Sequence, residues 1–144
     1  MSNPYIFTAT VSKIVDGDTM YVTDINLGFG VVNRGDTGRG ICLRLNGVDT
    51  PESRTRDLEE KQYGLAAKAF VQAFSPVGTE VTLRTYKKGK YGRWLADIKV
   101  GGKWLCKELI KNYHAVEYEG QNKKEIKAAH LSNRLKVNLD VGKI

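Results

Sequence analysis

Over residues 6–15, and again over 19–25, β-branched and aromatic side chains alternate with polar ones, the two-residue period of a half-buried strand. The dipeptide Asp16-Gly17 between them is a tight-turn signal, so these two elements read as a hairpin. Residues 41–48, 80–86 and 94–100 share the same side-chain bias and predict three more strands. Between the third and fourth strands the period lengthens. Ala66, Ala69, Phe70 and Ala73 fall at i, i+3, i+4 and i+7, the stripe of an amphipathic helix. Gly101-Gly102 closes the fifth strand, after which Leu105, Cys106, Leu109 and Ile110 mark a second helix. A third is expected over residues 122–136, where Ala128, Leu131 and Leu135 share a face.

The order β-β-β-α-β-β-α-α carries no repeat, linker or low-complexity tract, and 144 residues suit a single domain over 1–144. The expectation is an α+β, mainly β fold: a five-stranded, all-antiparallel OB-fold barrel with about three helices. Such a barrel serves nucleic acids and oligosaccharides alike, so the fold supplies no function by itself. Residues 28–40 hold five glycines and few large apolar residues, and read as a long exposed hairpin loop. They do not form a phosphate-binding loop, because Gly28-Phe29-Gly30 is followed by neither the third glycine nor a helix.

Composition narrows the class. With 41% hydrophobic and 27% charged residues the chain is too apolar to be disordered. No run approaches the roughly 18 apolar residues of a membrane helix, so no membrane partner is expected. The start Met1-Ser-Asn-Pro-Tyr lacks the basic and apolar regions of a signal peptide, which predicts a cytoplasmic or virus-encoded intracellular protein, or a secreted one if a leader was removed. Lysines and arginines number 23 against 16 acids, a net charge of +7 that favours an anionic partner. Cys42 and Cys106 lie in apolar surroundings with no C-x-x-C partner and read as buried free thiols.

Three clusters put charged residues beside turns at strand ends: Asp16-Gly-Asp18-Thr19, then Arg44-Leu-Asn-Gly-Val-Asp49-Thr50-Pro51-Glu52, then Lys90-Tyr91-Gly92-Arg93. Arg44, Asn46 and Val48 in the third strand are expected to point one way and Leu45 and Gly47 the other, and Pro51, which has no N–H for a ladder, stops the strand. Asp49, Thr50 and Glu52 then sit at or just past a strand end, where side chains can converge on a ligand.

In order and surroundings the three clusters resemble the active-site motifs of the staphylococcal (micrococcal) nuclease family, the thermonucleases, over residues 11–118. The resemblance implies a calcium-dependent phosphodiesterase that cuts DNA and RNA, preferring single-stranded or flexible regions, with little sugar or sequence specificity and with 3′-phosphate products. It assigns Asp18 and Asp49 as metal-ligand carboxylates and Thr50 as the residue lending a backbone carbonyl to one Ca2+, with Mg2+ or Mn2+ less favoured. Glu52 matches the carboxylate that activates water, and Arg44 and Arg93 the pair that grips the phosphate. Lys90 and Tyr91 match residues around the neighbouring terminal phosphate, and Tyr118 a tyrosine near the nucleotide. A monomer is favoured. The chain departs from the family in spending residues 24–40 on the link between its second and third strands, and in the charge of the segment 53–61 beside Glu52.

The residue types suit that chemistry. Calcium takes 6–8 oxygen ligands, roughly, so two carboxylates, a carbonyl and waters leave room for a phosphate oxygen. Arginine's planar fork meets two phosphate oxygens at once and stays charged. Around Tyr86 and Tyr91, the cations Arg84, Lys87, Lys88, Lys90 and Arg93 form the mixture that holds single strands by phosphate attraction and base stacking. The third helix adds Lys123, Lys124, Lys127, Arg134 and Lys136 against Glu125 alone.

Plainer roles compete. Asp16 reads as a turn residue bonding its own backbone. An EF-hand fails, since the fifth loop position would be Met20. His114 and His130 fit no metal or triad spacing and read as structural or surface residues; Trp94 and Trp104 read as packing. Ser53 and Thr55 have no base at motif spacing. The rival function is a non-catalytic nucleic-acid-binding OB module, against which stand three convergent acids that would repel phosphate. An oligosaccharide-binding barrel explains the +7 charge poorly.

Overall fold

A computed structural model describes residues 5–32, 40–88 and 92–139. Five main strands close a barrel: β1 (Tyr5–Asp16), β2 (Thr19–Asn26), β4 (Ile41–Leu45), β6 (Glu80–Lys88) and β7 (Trp94–Val100) run in the cyclic order β1-β6-β7-β4-β2, with β2 returning to β1. Three helices complete it, α1 (Leu58–Phe74), α2 (Leu105–Lys111) and α3 (Lys123–Arg134), so the mainly β OB-type barrel expected from the alternation pattern is present.

The all-antiparallel expectation is corrected at one seam. β4 pairs parallel with β7, Leu43 opposite Trp94 and Leu45 opposite Ala96. A ring of five strands cannot alternate direction all the way round, because five is odd, so closure forces one parallel pair.

Four short strands escaped the sequence pattern. β3 (Val31–Val32) turns back on β2, β8 (Lys103–Trp104) extends β7, and β5 (Val48–Asp49) pairs with β9 (Val116–Glu117) outside the barrel. The strand expected over residues 41–48 is therefore two pieces. Asn46-Gly47 forms a turn with Gly47 at φ 79°, a left-handed value that glycine adopts without a Cβ clash, and the chain leaves the barrel there. Val48 is consequently buried and does not share a side with Arg44.

In β1 the inward positions are Ala9 and Val11, then Ile14 and Asp16. The change of parity follows the irregularity between Val11 and Lys13, where β1 advances two residues and β2 one. That bulge turns Asp16 inward at the end of the strand. Val11, Met20, Val22, Leu43, Leu83 and Ile98 fill the barrel.

The helices cap it with faces only partly foreseen. α1 buries Gly64, Ala66, Ala67 and Val71, while Ala73 of the expected stripe is exposed. Alanine is small enough for either face, so Val71 and the glycine decide the rotation. Leu105 and Leu109 anchor α2 as expected. α3 buries nothing fully, and of its expected apolar face Leu131 is 45% and Leu135 88% exposed. Among the described residues no helix is long and apolar enough to cross a membrane. Cys42 and Cys106 are free and half-buried rather than fully enclosed.

Candidate functional site

Three separated segments meet at one end of the barrel. The β1–β2 turn delivers Asp16 and Asp18, the end of β4 delivers Arg44, and the stretch through β5 delivers Asp49 to Ser53. The meeting is enforced by backbone: Leu45 N donates to Asp18 O at 2.9 Å, and Arg44 lies opposite Thr19 in the ladder. Arg44 Nη1 donates to the carbonyls of Leu45 (3.1 Å) and Val48 (2.9 Å), so the Asn46-Gly47 turn itself grips the guanidinium. Its Nη2 stands 3.4 Å from Asp18 Oδ2 and 3.4 Å from Asp49 Oδ1. Two carboxylates 31 positions apart thus converge on one nitrogen.

Those contacts are long. A tight charge-assisted bond spans about 2.7–2.9 Å, so Arg44 leaves the carboxylate lone pairs under-used. Asp18 also accepts from Thr50 N at 3.2 Å and from the Thr19 hydroxyl at 3.1 Å, which aim it at the cluster. Thr50 is buried, and its Oγ1 has no hydrogen-bond partner among the described residues. Asp16 Oδ1 accepts the Ser53 hydroxyl across 37 residues, a longer reach than the local turn bond expected for it.

Glu52 is held above the ordinary glutamate range, first by partial burial and then by the neighbouring carboxylates of Asp16, Asp18, Glu60 and Asp49. Like charges gathered this way make a proton, or any cation, welcome. Among the described residues no three His, Cys, Asp or Glu side chains are spaced to hold a metal ion. An ion here would rest on two carboxylates completed by backbone oxygen and water, a donor set calcium accepts.

The remaining expected residues scatter around this centre. Arg93 enters β7 beside β4, and its charge acts on the Cys42 thiol, two residues before Arg44 on that strand. Tyr118 is exposed, tied by its N–H to Gly47 O at 2.8 Å and so placed at the rim next to β5. Lys90 and Tyr91 lie outside the described residues. Trp104, expected as packing, lies under two cations: the Arg84 guanidinium 3.6 Å from its ring centre and Lys99 Nζ 5.6 Å away. Tyr86, 37% exposed, extends this cationic and aromatic strip along β6.

Two residues had no signal in motif spacing. Glu60 Oε2 accepts from Glu52 N at 3.1 Å and steadies that backbone; its clue was Asp57, which caps α1 by accepting from Glu59 N and Glu60 N. His130, read as structural or surface, reaches from α3 to place Nε2 2.7 Å from Asp49 Oδ2. A model of the family described as "Staphylococcal nuclease homologue" matches residues 42–136.

Proposed function

The chain belongs to the staphylococcal nuclease homologue family, and from that membership together with the geometry above we propose that it is a calcium-dependent phosphodiesterase. It hydrolyses DNA and RNA with little sugar or sequence specificity, preferring single-stranded or flexible regions. The observation that carries the reading is the convergence of Asp18 and Asp49 on one Arg44 nitrogen, beside a Glu52 whose proton affinity is raised by partial burial and then by the surrounding carboxylates. A binding module would gain nothing from crowding acids where a phosphate must approach.

Asp18, Asp49 and the Thr50 carbonyl would hold the calcium ion, with magnesium or manganese less favoured. Bound there, the ion would supply Lewis-acid stabilisation of charge building on the phosphate. The other steps belong to side chains. Arg44, its Nη1 held by the Leu45 and Val48 carbonyls, offers Nη2 to a non-bridging oxygen, and Arg93 supplies the second guanidinium for the phosphate. Glu52 takes a proton from the water whose oxygen attacks phosphorus in line with the 5′-oxygen. The P–O5′ bond breaks, the 5′-oxygen leaves as a hydroxyl after gaining a proton from solvent, and the phosphate stays on the 3′ side. Lys90, Tyr91 and Tyr118 hold the adjoining nucleotide, and the Arg84, Trp104 and Tyr86 strip adds affinity for a single strand.

Plasmid and single-stranded DNA incubated with the protein should be degraded in calcium and spared in chelator, with 3′-phosphate ends on the products. Equal degradation in both conditions removes the metal from the reaction, and no degradation in either overturns the enzyme reading.

A further inference from the structure

We propose that His130 is a positioning residue, which fixes the Asp49 carboxylate in the orientation that a metal ligand needs; the inference rests on the ligand role given to Asp49 above. The orientation of α3 is the first observation. An amphipathic helix ordinarily docks its apolar stripe. α3 follows that rule only in part: Ile126 and Ala129 face the protein together with His130, Asn133 and Arg134, while Leu131 is 45% exposed and Leu135, just past the helix, 88%. Apolar burial is too slight to set that rotation alone.

Polar contacts hold it as well. Asn133 Nδ2 donates to Ala115 O at 3.1 Å, beside β9. Arg134 pairs with Glu59 at 3.4 Å, its guanidinium 5.0 Å from the centre of the Tyr63 ring on α1. Asn122 caps the helix by accepting from Glu125 N at 2.9 Å. These ties fix the height and rotation of α3, and with them the place of His130.

The contact with Asp49 is the second observation. A carboxylate only accepts, so His130 Nε2 carries the proton and donates. At 2.7 Å this bond is much tighter than the 3.4 Å approach of Arg44 to the other oxygen. His130 rather than Arg44 therefore sets the carboxylate rotation. It occupies Oδ2 and leaves Oδ1 turned toward Arg44 and Asp18, where the ion would sit. β5 is two residues long, so the backbone alone restrains Asp49 weakly. A histidine with 14% of its side chain exposed supplies the missing restraint.

The test titrates calcium alone into the full chain by calorimetry. His130→Ala and His130→Phe, the second filling the space without a donor, should weaken calcium binding by about 10–100-fold. His130→Gln, which returns an N–H at similar reach, should recover most of that loss. Cleavage by the alanine variant should fall at limiting calcium and recover at saturating calcium, while melting temperatures stay close to wild type. A purely structural histidine would show neither the glutamine rescue nor the rescue by excess ion. If the wild type binds calcium and both donor-less variants bind it equally well, the role of His130 is refuted while the metal site stands. If the wild type binds none, the metal reading and this inference fall together.

Discussion

Gly64→Ala adds one methyl group at the point where α1 backs onto the chain carrying Glu52. A Cβ at Gly64 would stand 2.2 Å from the Glu52 carbonyl oxygen, 2.4 Å from its carbonyl carbon and 2.6 Å from Ser53 N. All three are backbone atoms, so no rotamer change relieves the clash. Restoring a tolerable contact requires the loop and helix to separate by roughly 1 Å. Overpacking of this kind costs about 1–3 kcal/mol, offset by the roughly 1 kcal/mol that alanine gains over glycine inside a helix. The net stability loss is thus at most about 2 kcal/mol, a fall of several degrees in melting temperature. Activity should suffer more. The displaced atoms belong to the proposed base, and an error of about 1 Å at a reacting group is worth on the order of 10²-fold in rate. Thermal melts paired with initial rates on single-stranded DNA in calcium read both quantities. A variant that cleaves at the wild-type rate and melts at or above the wild-type temperature would refute the close approach of α1 to Glu52.

Burial holds His114 neutral, its pKa lowered from 6.5 to about 4, so the unfolded chain takes up a proton that the folded chain refuses. Stability is full above pH 6.5 and drains away as pH falls toward 4; urea melts should show His114→Phe losing about 2 kcal/mol less than wild type between pH 7 and pH 5, and parallel losses would contradict this. If Glu52 takes the proton from the attacking water, Glu52→Gln should slow cleavage by about 10²–10⁴-fold with unchanged circular dichroism. Near-normal turnover in Glu52→Gln would remove it from the chemistry. Binding of single-stranded DNA in chelator should weaken steeply as salt rises from about 50 to 200 mM, and Arg84→Ala should reduce that slope; a flat response would remove phosphate attraction from the strip.

The barrel was legible because its strands bury one face, and a buried face leaves a two-residue period that nothing else produces. The parallel β4–β7 seam follows from ring closure and not from side chains, so no pattern within either strand announces it. The break at Asn46-Gly47 did have a signal, an Asn-Gly pair, but the apolar residues on both sides read as one continuous strand. Asp18, Arg44 and Asp49 were readable as a group because each sits against a turn, and turns at strand ends cluster in space. His130 was not: 81 residues separate it from Asp49, and the contact exists because α3 docks on a mixed face that carries His130, Asn133 and Arg134. The apolar stripe of Leu131 and Leu135 pointed to the opposite rotation, since hydrophobic periodicity identifies the docking face only when apolar burial drives the docking.

Crystals of the protein grown with calcium chloride test the central claim most directly, through the anomalous signal of the ion. One calcium should appear beside Arg44, coordinated by Asp18, Asp49 and the Thr50 carbonyl at about 2.3–2.6 Å. A calcium bound elsewhere, or density at this position explained by water alone at saturating calcium, would contradict it.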